Sequence, residues 1–264
     1  MTRLLLASAL TWLGGAIIAQ GKVPHVVLLV LDDVGWADVG FHGSDFPTPN
    51  IDHLANTGVQ LERMYVMPQC SPTRAAILTG RYSFRTGLQH FSTIMAGATP
   101  GIPKDTHTIA ETFRAAGYAT HMVGKWHLGY SRWSQTPVGK GFDSFYGYLQ
   151  GQTDYYNRTI FSCGHAACFY KLNKWAHSTF GEGAAGYDFW DNKTAIYHDL
   201  GKYTVDAYEE RIRSLLRPYA SASPPSQPMF LYFAEQQLHI PLQAPPEPEY
   251  LEACRSVRGG SGQV

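Results

Sequence analysis

The chain of 264 residues is predicted to be an α/β protein with a doubly wound, mostly parallel sheet flanked by helices. Apolar runs of strand length alternate along the chain with segments of helical spacing, which is the pattern of such sheets. The composition is globular, with 44% hydrophobic and 16% charged residues. Lys plus Arg and Asp plus Glu number 21 each, so the charge balance indicates no nucleic acid and no anionic membrane as a partner.

The first predicted strand covers residues 26–31, a continuous apolar run that follows Pro24. Such a run is typical of a strand that is buried on both faces of a parallel sheet. Residues 108–116 have helical spacing and stop at Gly117, a favourable C-terminal cap. A second strand is then predicted over residues 118–123.

A third unit begins with a predicted helix over residues 205–216 and continues through a Pro- and Ser-rich linker. Residues 229–234 form the next apolar strand. In doubly wound sheets the ligand crevice lies outside the carboxyl ends of the strands. Ionisable side chains follow all three predicted strands, so we expect them to meet in one site at this edge. These residues are Asp32, Asp33, Lys125, His127 and His239.

Asp32 and Asp33 form an acidic pair directly after the first strand. Adjacent carboxylates repel each other unless a cation or a buried base compensates their charge. Hard oxygen ligands suit Ca²⁺ or Mg²⁺, so the pair is a candidate metal site. The alternative is a solvated loop start, in which Asp33 acts as a turn or cap residue.

Cys70 is predicted to lie immediately before the N-terminus of a helix. Ser71 suits the N-cap, Pro72 suits the first turn, and Gly80 ends the helix. Free amides and the helix dipole at this end favour an anionic nucleophile or a bound oxyanion. Arg74 lies one turn further along and can reach the same anion. A thiolate at this position would therefore be activated.

Residues 1–20 are typical of a secretory signal peptide, with Arg3 before the apolar stretch 4–19. The stretch is interrupted by glycines and is short for a membrane span, which needs roughly 20 apolar residues. We therefore expect a lysosomal or extracellular protein without stable membrane insertion; an uncleaved anchor is the alternative. Glycosylation sequons at Asn157 and Asn192 agree with passage through the secretory pathway.

The chain has four cysteines. In an oxidising compartment, Cys163 and Cys168 are spaced for a local disulfide that closes a short loop. Cys70 and Cys254 then remain. They form a second disulfide, are inert buried thiols, or leave Cys70 available for chemistry.

The run Cys70-Ser71-Pro72-Thr73-Arg74 resembles the C-x-P-x-R signature of type I sulfatases. Further motifs of this family follow in order, and the whole resembles most the arylsulfatase B, I and J group. The similarity extends from about Pro24 to about Tyr250, and it implies an alkaline-phosphatase-like sulfatase domain over residues 24–253. The additional motifs occupy residues 31–40, 48–52, 75–90, 124–129 and 141–147.

The resemblance implies that Cys70 is oxidised to formylglycine by a formylglycine-generating enzyme. The hydrated aldehyde then offers two hydroxyl groups, of which one attacks the sulfur of a sulfate ester and the other helps to release sulfate. The implied substrates are aryl sulfates or sulfated carbohydrates. Asp32, Asp33 and the modified Cys70 would bind a divalent metal, Ca²⁺ or Mg²⁺.

The resemblance also assigns roles to four further residues. Arg74 would hold the modified side chain, and Lys125 would bind a sulfate oxygen. His127 would take the proton of the second hydroxyl, while His239 would protonate the leaving oxygen. Taken alone, a Lys is more often a solvated charge and a His is more often a surface or core residue. The shared position at strand ends favours the functional interpretation.

The chain departs from the family pattern at its C-terminus. It ends at Val264, before the family's Asp-Asn metal ligands and second sulfate-binding Lys, and residues 254–264 resemble no part of the family. We therefore expect an incomplete domain that exposes an apolar sheet edge and binds metal weakly. Two hypotheses remain: the N-terminal part of an active sulfatase, or a truncated, catalytically inactive isoform that acts at most in binding. A phosphoesterase with a Ser or Thr nucleophile is disfavoured by Cys70.

Overall fold

The computed structural model describes residues 23–90, 94–161, 185–221, 225 and 227–246. The predicted signal peptide, the predicted disulfide between Cys163 and Cys168, Cys254 and the predicted tail 254–264 lie outside these ranges. Within them, no helix is both long enough and apolar enough to span a membrane.

A six-stranded sheet forms the centre of the structure, in the order β1-β8-β2-β3-β6-β7. The four strands β1, β8, β2 and β3 are parallel, whereas the short β6 and β7 are antiparallel. The predicted mostly parallel sheet is thus confirmed. The strands are β1 Val26–Val30, β2 Ala119–Lys125, β3 Ser144–Tyr148, β6 Trp190–Asp191, β7 Thr194–Ala195 and β8 Met229–Ala234, with β4 Thr159–Phe161 and β5 Ala185–Tyr187 in a separate two-stranded sheet.

Helices cover both faces of the sheet, as a doubly wound fold requires. Among the described residues, helices α2 (Cys70–Thr79) and α3 (Ile109–Ala115) pack on one face, and α4 (Thr204–Leu216) packs on the opposite face. Short 3₁₀ turns fill several of the connections. In the part of the chain that the structure describes, the α-helices are α1 Pro49–Thr57, α2 Cys70–Thr79, α3 Ile109–Ala115 and α4 Thr204–Leu216; the 3₁₀ turns there are Trp36–Asp38, Gly40–His42, Ser83–Arg85, Trp133–Gln135, Pro137–Lys140 and Arg217–Ala220.

Helix α3 shows why local sequence predicts this part of the fold well. Thr108 caps the helix: its hydroxyl oxygen accepts from Glu111 N at 3.2 Å, and the Glu111 carboxylate accepts from Thr108 N at 2.8 Å. Gly117 follows with a left-handed φ of 88°. The next strand continues to Lys125, two residues beyond the predicted end, because it pairs with both β8 and β3.

The prediction that the first strand is buried on both faces is wrong. Leu28 packs with the core under α2 and α3, but Val27 and Leu29 on the other face are 57% and 44% exposed. Among the described residues β1 pairs only with β8, and α4 covers the sheet further along, over β2 and β3. One apolar face of β1 is therefore uncovered among the described residues, while the predicted exposure of an apolar sheet edge stays a prediction.

Candidate active site

The carboxyl ends of the parallel strands bring the predicted site residues together. Asp32 and Asp33 follow β1, Lys125 is the last residue of β2, and His239 follows β8. Helix α2 supplies Cys70 and Arg74, and His127 lies two residues after the end of β2. Four contacts join these side chains in three groups: Arg74–Asp32 with Lys125–Asp32, Cys70–His127, and His239–Asp33.

Asp32 is the electrostatic centre of the site. Its Oδ2 accepts from Lys125 Nζ at 2.5 Å and from Arg74 Nη2 at 3.1 Å, and all three side chains are buried. Burial alone would raise the pKa of Asp32, but the positive charges of Lys125 and Arg74 outweigh it and hold the pKa well below its ordinary value. The group therefore carries two positive charges and one negative charge, and the excess positive charge favours an anionic ligand.

Arg74 connects helix α2 to the ends of two strands. Besides Asp32, it donates from Nη1 to the backbone oxygen of Lys125 at 2.7 Å. A longer contact of 3.5 Å joins Nη1 to Tyr232 Oη on β8. These bonds use both terminal nitrogens to position Asp32 and Lys125, so Arg74 organises the buried charges. Its predicted contact with the modified side chain at position 70 stays a prediction.

Cys70 is the first residue of α2, so the helix starts two residues earlier than the predicted N-cap at Ser71 implies. The N-cap is Gln69, not Ser71, and its side chain makes no capping hydrogen bond. Ser71 is instead fully buried, with an Oγ that has no protein partner among the described residues. The predicted end at Gly80 is confirmed, with a left-handed φ of 64°. Cys70 still lies at the positive end of the helix, where an anion is stabilised.

The ring of His127 presents one nitrogen to Cys70. Nδ1 lies 3.1 Å from Cys70 Sγ, while Nε2 lies 3.0 Å from the backbone oxygen of Ile94. Because a carbonyl oxygen can only accept, Nε2 carries the hydrogen and Nδ1 has the lone pair. Burial, together with the positive charge of Lys125, lowers the pKa of His127 well below its ordinary value. His127 is therefore a neutral acceptor aimed at the nucleophile position.

His239 is oriented in a similar way. Its Nδ1 donates to the backbone oxygen of Ile240 at 2.9 Å, which leaves Nε2 facing Asp33 Oδ2 at 3.9 Å. Burial and Lys125 lower the pKa of His239. The Asp33 side chain is 59% exposed, so this pair lies on the solvent side of the site. A substrate group could reach His239 from there.

Two buried residues support the site and were missed by the sequence analysis. The single O–H of Tyr155 is shared between the backbone oxygens of Gln236, at 2.7 Å, and His239, at 3.0 Å. Asp188 accepts hydrogen bonds from backbone amides that directly follow β3. Both act across long sequence separations on main-chain groups. No periodicity or motif in their own neighbourhood indicates this.

The acidic pair supplies part of a metal site. Carboxylate oxygens from Asp32 and Asp33 are the ligands that Ca²⁺ and Mg²⁺ prefer. Within the described residues, however, no three His, Cys, Asp or Glu side chains converge as possible metal ligands. Asp32 also shares one oxygen with Lys125 and Arg74. The donor chemistry suits a hard divalent cation, but the ligand set in this part of the chain is incomplete.

Comparison with known proteins agrees with this geometry. A sequence model of the sulfatase family matches residues 24–257. The chain is 40% identical to arylsulfatase J of Mus musculus over 236 residues, which cover 89% of this chain and 35% of that protein. It is also 40% identical to N-acetylgalactosamine-6-sulfatase of Sus scrofa over 154 residues, which cover 55% of this chain and 29% of that protein. The chain thus spans about a third of the length of these relatives.

The fold is similar to the crystal structure of Ps i-CgsB, with a TM-score of 0.68 and 32% identity over 87% of this chain and 49% of that chain. The same protein in complex with k-i-k-neocarrahexaose gives a TM-score of 0.65. These similarities confirm the predicted sulfatase-type fold. The match over residues 24–257, with the predicted nucleophile and strand-end residues gathered at one edge of the sheet, shows that the chain belongs to the sulfatase family.

Proposed function

We propose that the chain provides the nucleophile-bearing part of a sulfuric ester hydrolase that cleaves sulfate esters of carbohydrates. The observation that carries this proposal is the 3.1 Å contact between Cys70 Sγ and the lone-pair nitrogen of His127. It lies beside a buried group with an excess of positive charge around Asp32. A nucleophile with its own base, next to cations that attract sulfate, is the arrangement that sulfate-ester hydrolysis requires.

Formylglycine and a divalent metal are used by sulfatases of this family in general. Here Cys70 Sγ occupies the position that the hydroxyls of a hydrated formylglycine would take, and conversion would supply a nucleophile that can be regenerated. Asp32 and Asp33 would bind Ca²⁺, with Mg²⁺ as the alternative, together with the modified side chain at position 70. A cation bound there would polarise a sulfate oxygen.

The side chains of the site would supply charge neutralisation, proton transfer and positioning. Lys125, whose ammonium lies beside Asp32, would neutralise a sulfate oxygen. His127 would accept a proton at Nδ1 from the side chain at position 70. His239, in its protonated form, would donate from Nε2 to the alcohol oxygen as the bond between sulfur and that oxygen breaks. Arg74 would keep Asp32 and the end of β2 in place.

Sulfated carbohydrate is the favoured substrate class, and aryl sulfates would serve as model substrates. Ps i-CgsB has been crystallised with k-i-k-neocarrahexaose, and the Sus scrofa relative is an N-acetylgalactosamine-6-sulfatase. We further propose maturation in the secretory pathway, where a formylglycine-generating enzyme would convert Cys70. A lysosomal or extracellular location would follow.

A second candidate is a sulfatase-like chain that binds without turnover. The observation that favours it is the incomplete metal site, since the described residues gather no three metal-ligating side chains. A chain in this state would still present the cations around Asp32 to a sulfated ligand. It would not hold a divalent metal tightly.

One experiment distinguishes the two candidates. The 264-residue chain is produced in a secretory host with the formylglycine-generating enzyme, and Cys70→Ala serves as the control. Turnover of 4-methylumbelliferyl sulfate above this control in Ca²⁺ buffer would support the hydrolase. Conversion of Cys70, detected by mass in the tryptic peptide of residues 64–74, without turnover would favour the binding chain. An unmodified thiol in that peptide would contradict the proposed nucleophile.

A further inference from the structure

We propose that Asp188 is a positioning residue for His127: it fixes the segment 149–151, which in turn holds the imidazole ring against Cys70. The proposal rests on the role of His127 in the proposed function. Asp188 itself is far from the nucleophile in sequence, and it acts through the backbone of this segment.

The carboxylate of Asp188 is buried and accepts hydrogen bonds from neutral N–H groups. Oδ2 accepts from Gln150 N at 2.8 Å, and both oxygens lie 3.1 Å from Leu149 N. Oδ1 also accepts from Trp190 Nε1 at 2.7 Å. Two successive amides thus converge on one carboxylate directly after β3, an arrangement that suits a negatively charged acceptor.

The segment 149–151 contacts His127 in two ways. The backbone oxygen of Leu149 accepts from His127 N at 3.2 Å, which holds the main chain of the histidine. Gly151 lies close to the ring: a Cβ at this position would be 2.6 Å from His127 Cε1 and 2.8 Å from Nε2. Such a distance is below any ordinary carbon contact, so the ring position depends on where the backbone of Gly151 lies.

His127 needs this support because its backbone is unfavourable. Its φ is 55°, in the left-handed region that side chains other than Gly seldom adopt. A residue held in such a conformation depends on its surroundings to over-determine it. Ile94 O fixes one ring nitrogen, the Leu149 carbonyl fixes the main chain, and Gly151 limits the position of the ring. Asp188 anchors the Leu149 carbonyl and Gly151, because it accepts from the backbone amides of Leu149 and Gln150.

The test compares Asp188→Ala and Asp188→Asn with the matched control Asp143→Asn in the complete chain carrying an unconverted Cys70. Asp143 also accepts from a backbone amide and a side chain, Thr120 N at 2.9 Å and Thr120 Oγ1 at 3.0 Å, but at the opposite end of β2. Three quantities are measured: the melting temperature, the NMR signal of the His127 ring N–H, and the rate of Cys70 alkylation by iodoacetamide at one fixed pH. Alkylation is followed in the tryptic peptide 64–74.

We expect Asp188→Ala to shift the His127 signal and to slow alkylation of Cys70 by about threefold or more, with Asp188→Asn intermediate. Asp143→Asn should lower the melting temperature without either effect. A purely structural Asp188 would lower the melting temperature but leave the ring signal and the alkylation rate unchanged, and that result would overturn the proposal.

Gly151→Ala keeps the proposal testable if the Asp188 variants do not fold. It displaces the ring directly, so it should slow alkylation by a similar factor, and an unchanged rate would overturn the coupling through this segment. In a folded double variant with Asp188→Ala, the two effects should combine less than additively. None of the three measurements, the melting temperature, the His127 ring signal and the Cys70 alkylation rate, requires sulfate-ester turnover. If the chain does not cleave sulfate esters but the Asp188 and Gly151 variants change the His127 signal and Cys70 alkylation as expected, only the proposed function is contradicted.

Discussion

Protonation of Asp188 should make the fold more stable in mild acid. Burial raises the pKa of Asp188 to about 6, against 3.8 for the free side chain, because the donors Leu149 N, Gln150 N and Trp190 Nε1 do not compensate the desolvation. A raised pKa means that the folded chain binds the proton more tightly than the unfolded chain. This contribution to stability is complete below pH 3.8 and is lost as the pH rises through about 6.

The size of the effect follows from this shift. A difference of about two pKa units corresponds to about 3 kcal/mol between the fully protonated and fully ionised limits. At pH 5 the folded form is largely protonated and the unfolded form largely ionised, so about 1.4 kcal/mol of this stabilisation is present relative to pH 7.5. His127 and His239 have lowered pKa values and oppose the trend, since their protonation favours the unfolded chain.

Urea denaturation of the wild-type chain and Asp188→Asn at pH 5 and pH 7.5 isolates the contribution of this carboxyl group. The histidines are common to both proteins, so their effect cancels in the difference. The free energy of unfolding of the wild type, minus that of the variant, should be about 1.4 kcal/mol greater at pH 5. An equal difference at both pH values would refute the reasoning, because it would mean that the carboxyl group does not change protonation in this range.

Three further predictions concern other parts of the molecule. Arg74→Ala should lower the free energy of unfolding in urea by about 3 kcal/mol, and Arg74→Lys should not restore it, because a single ammonium nitrogen does not reproduce the planar fork by which Nη1 and Nη2 reach Lys125 O and Asp32 Oδ2; full stability of the Lys variant would contradict this. Glycopeptide mass spectrometry should find a glycan on Asn157, which is exposed, and none on Asn192. The side-chain amide of Asn192 is already engaged, since its oxygen accepts from Phe145 N and its nitrogen donates to Asp191 Oδ1. Replacement of the exposed Val27 and Leu29 by Thr should reduce self-association, measured by light scattering, without lowering the melting temperature. An unchanged apparent mass would contradict the role of this apolar surface in self-association.

Local sequence was sufficient wherever the stabilising partners are near in the chain. Thr108 and Glu111 cap α3 within one turn, and Gly80 ends α2 by adopting a left-handed conformation. Strand 229–234 was predicted because a strand buried on both faces of a parallel sheet is a continuous hydrophobic run. The same pattern over residues 26–31 predicted the position of β1, although not its exposure. Once these strands are parallel, their carboxyl ends must share one edge, so the site residues could be predicted as a group.

The start of α2 and the exposure of β1 were not predictable in the same way. Cys70 belongs to the first turn, although Ser71 has the better capping side chain, since the burial of Ser71 overrides its local preference. The apolar pattern of residues 26–31 indicates only that both faces of the strand can be buried. Whether α4 reaches Val27 and Leu29 depends on where the helix packs.

The sequence by itself determined the family and predicted the nucleophile position and the strand-end residues, because motif order and hydrophobic periodicity are local properties of the chain. Only the tertiary structure decided that Arg74 and Lys125 share Asp32, that His127 presents Nδ1 to Cys70, and that Asp188 accepts from the backbone amide of Gln150. The physical reason is that these arrangements depend on hydrogen bonds between groups separated by about 40 residues or more, which form only when the sheet brings the strand ends together.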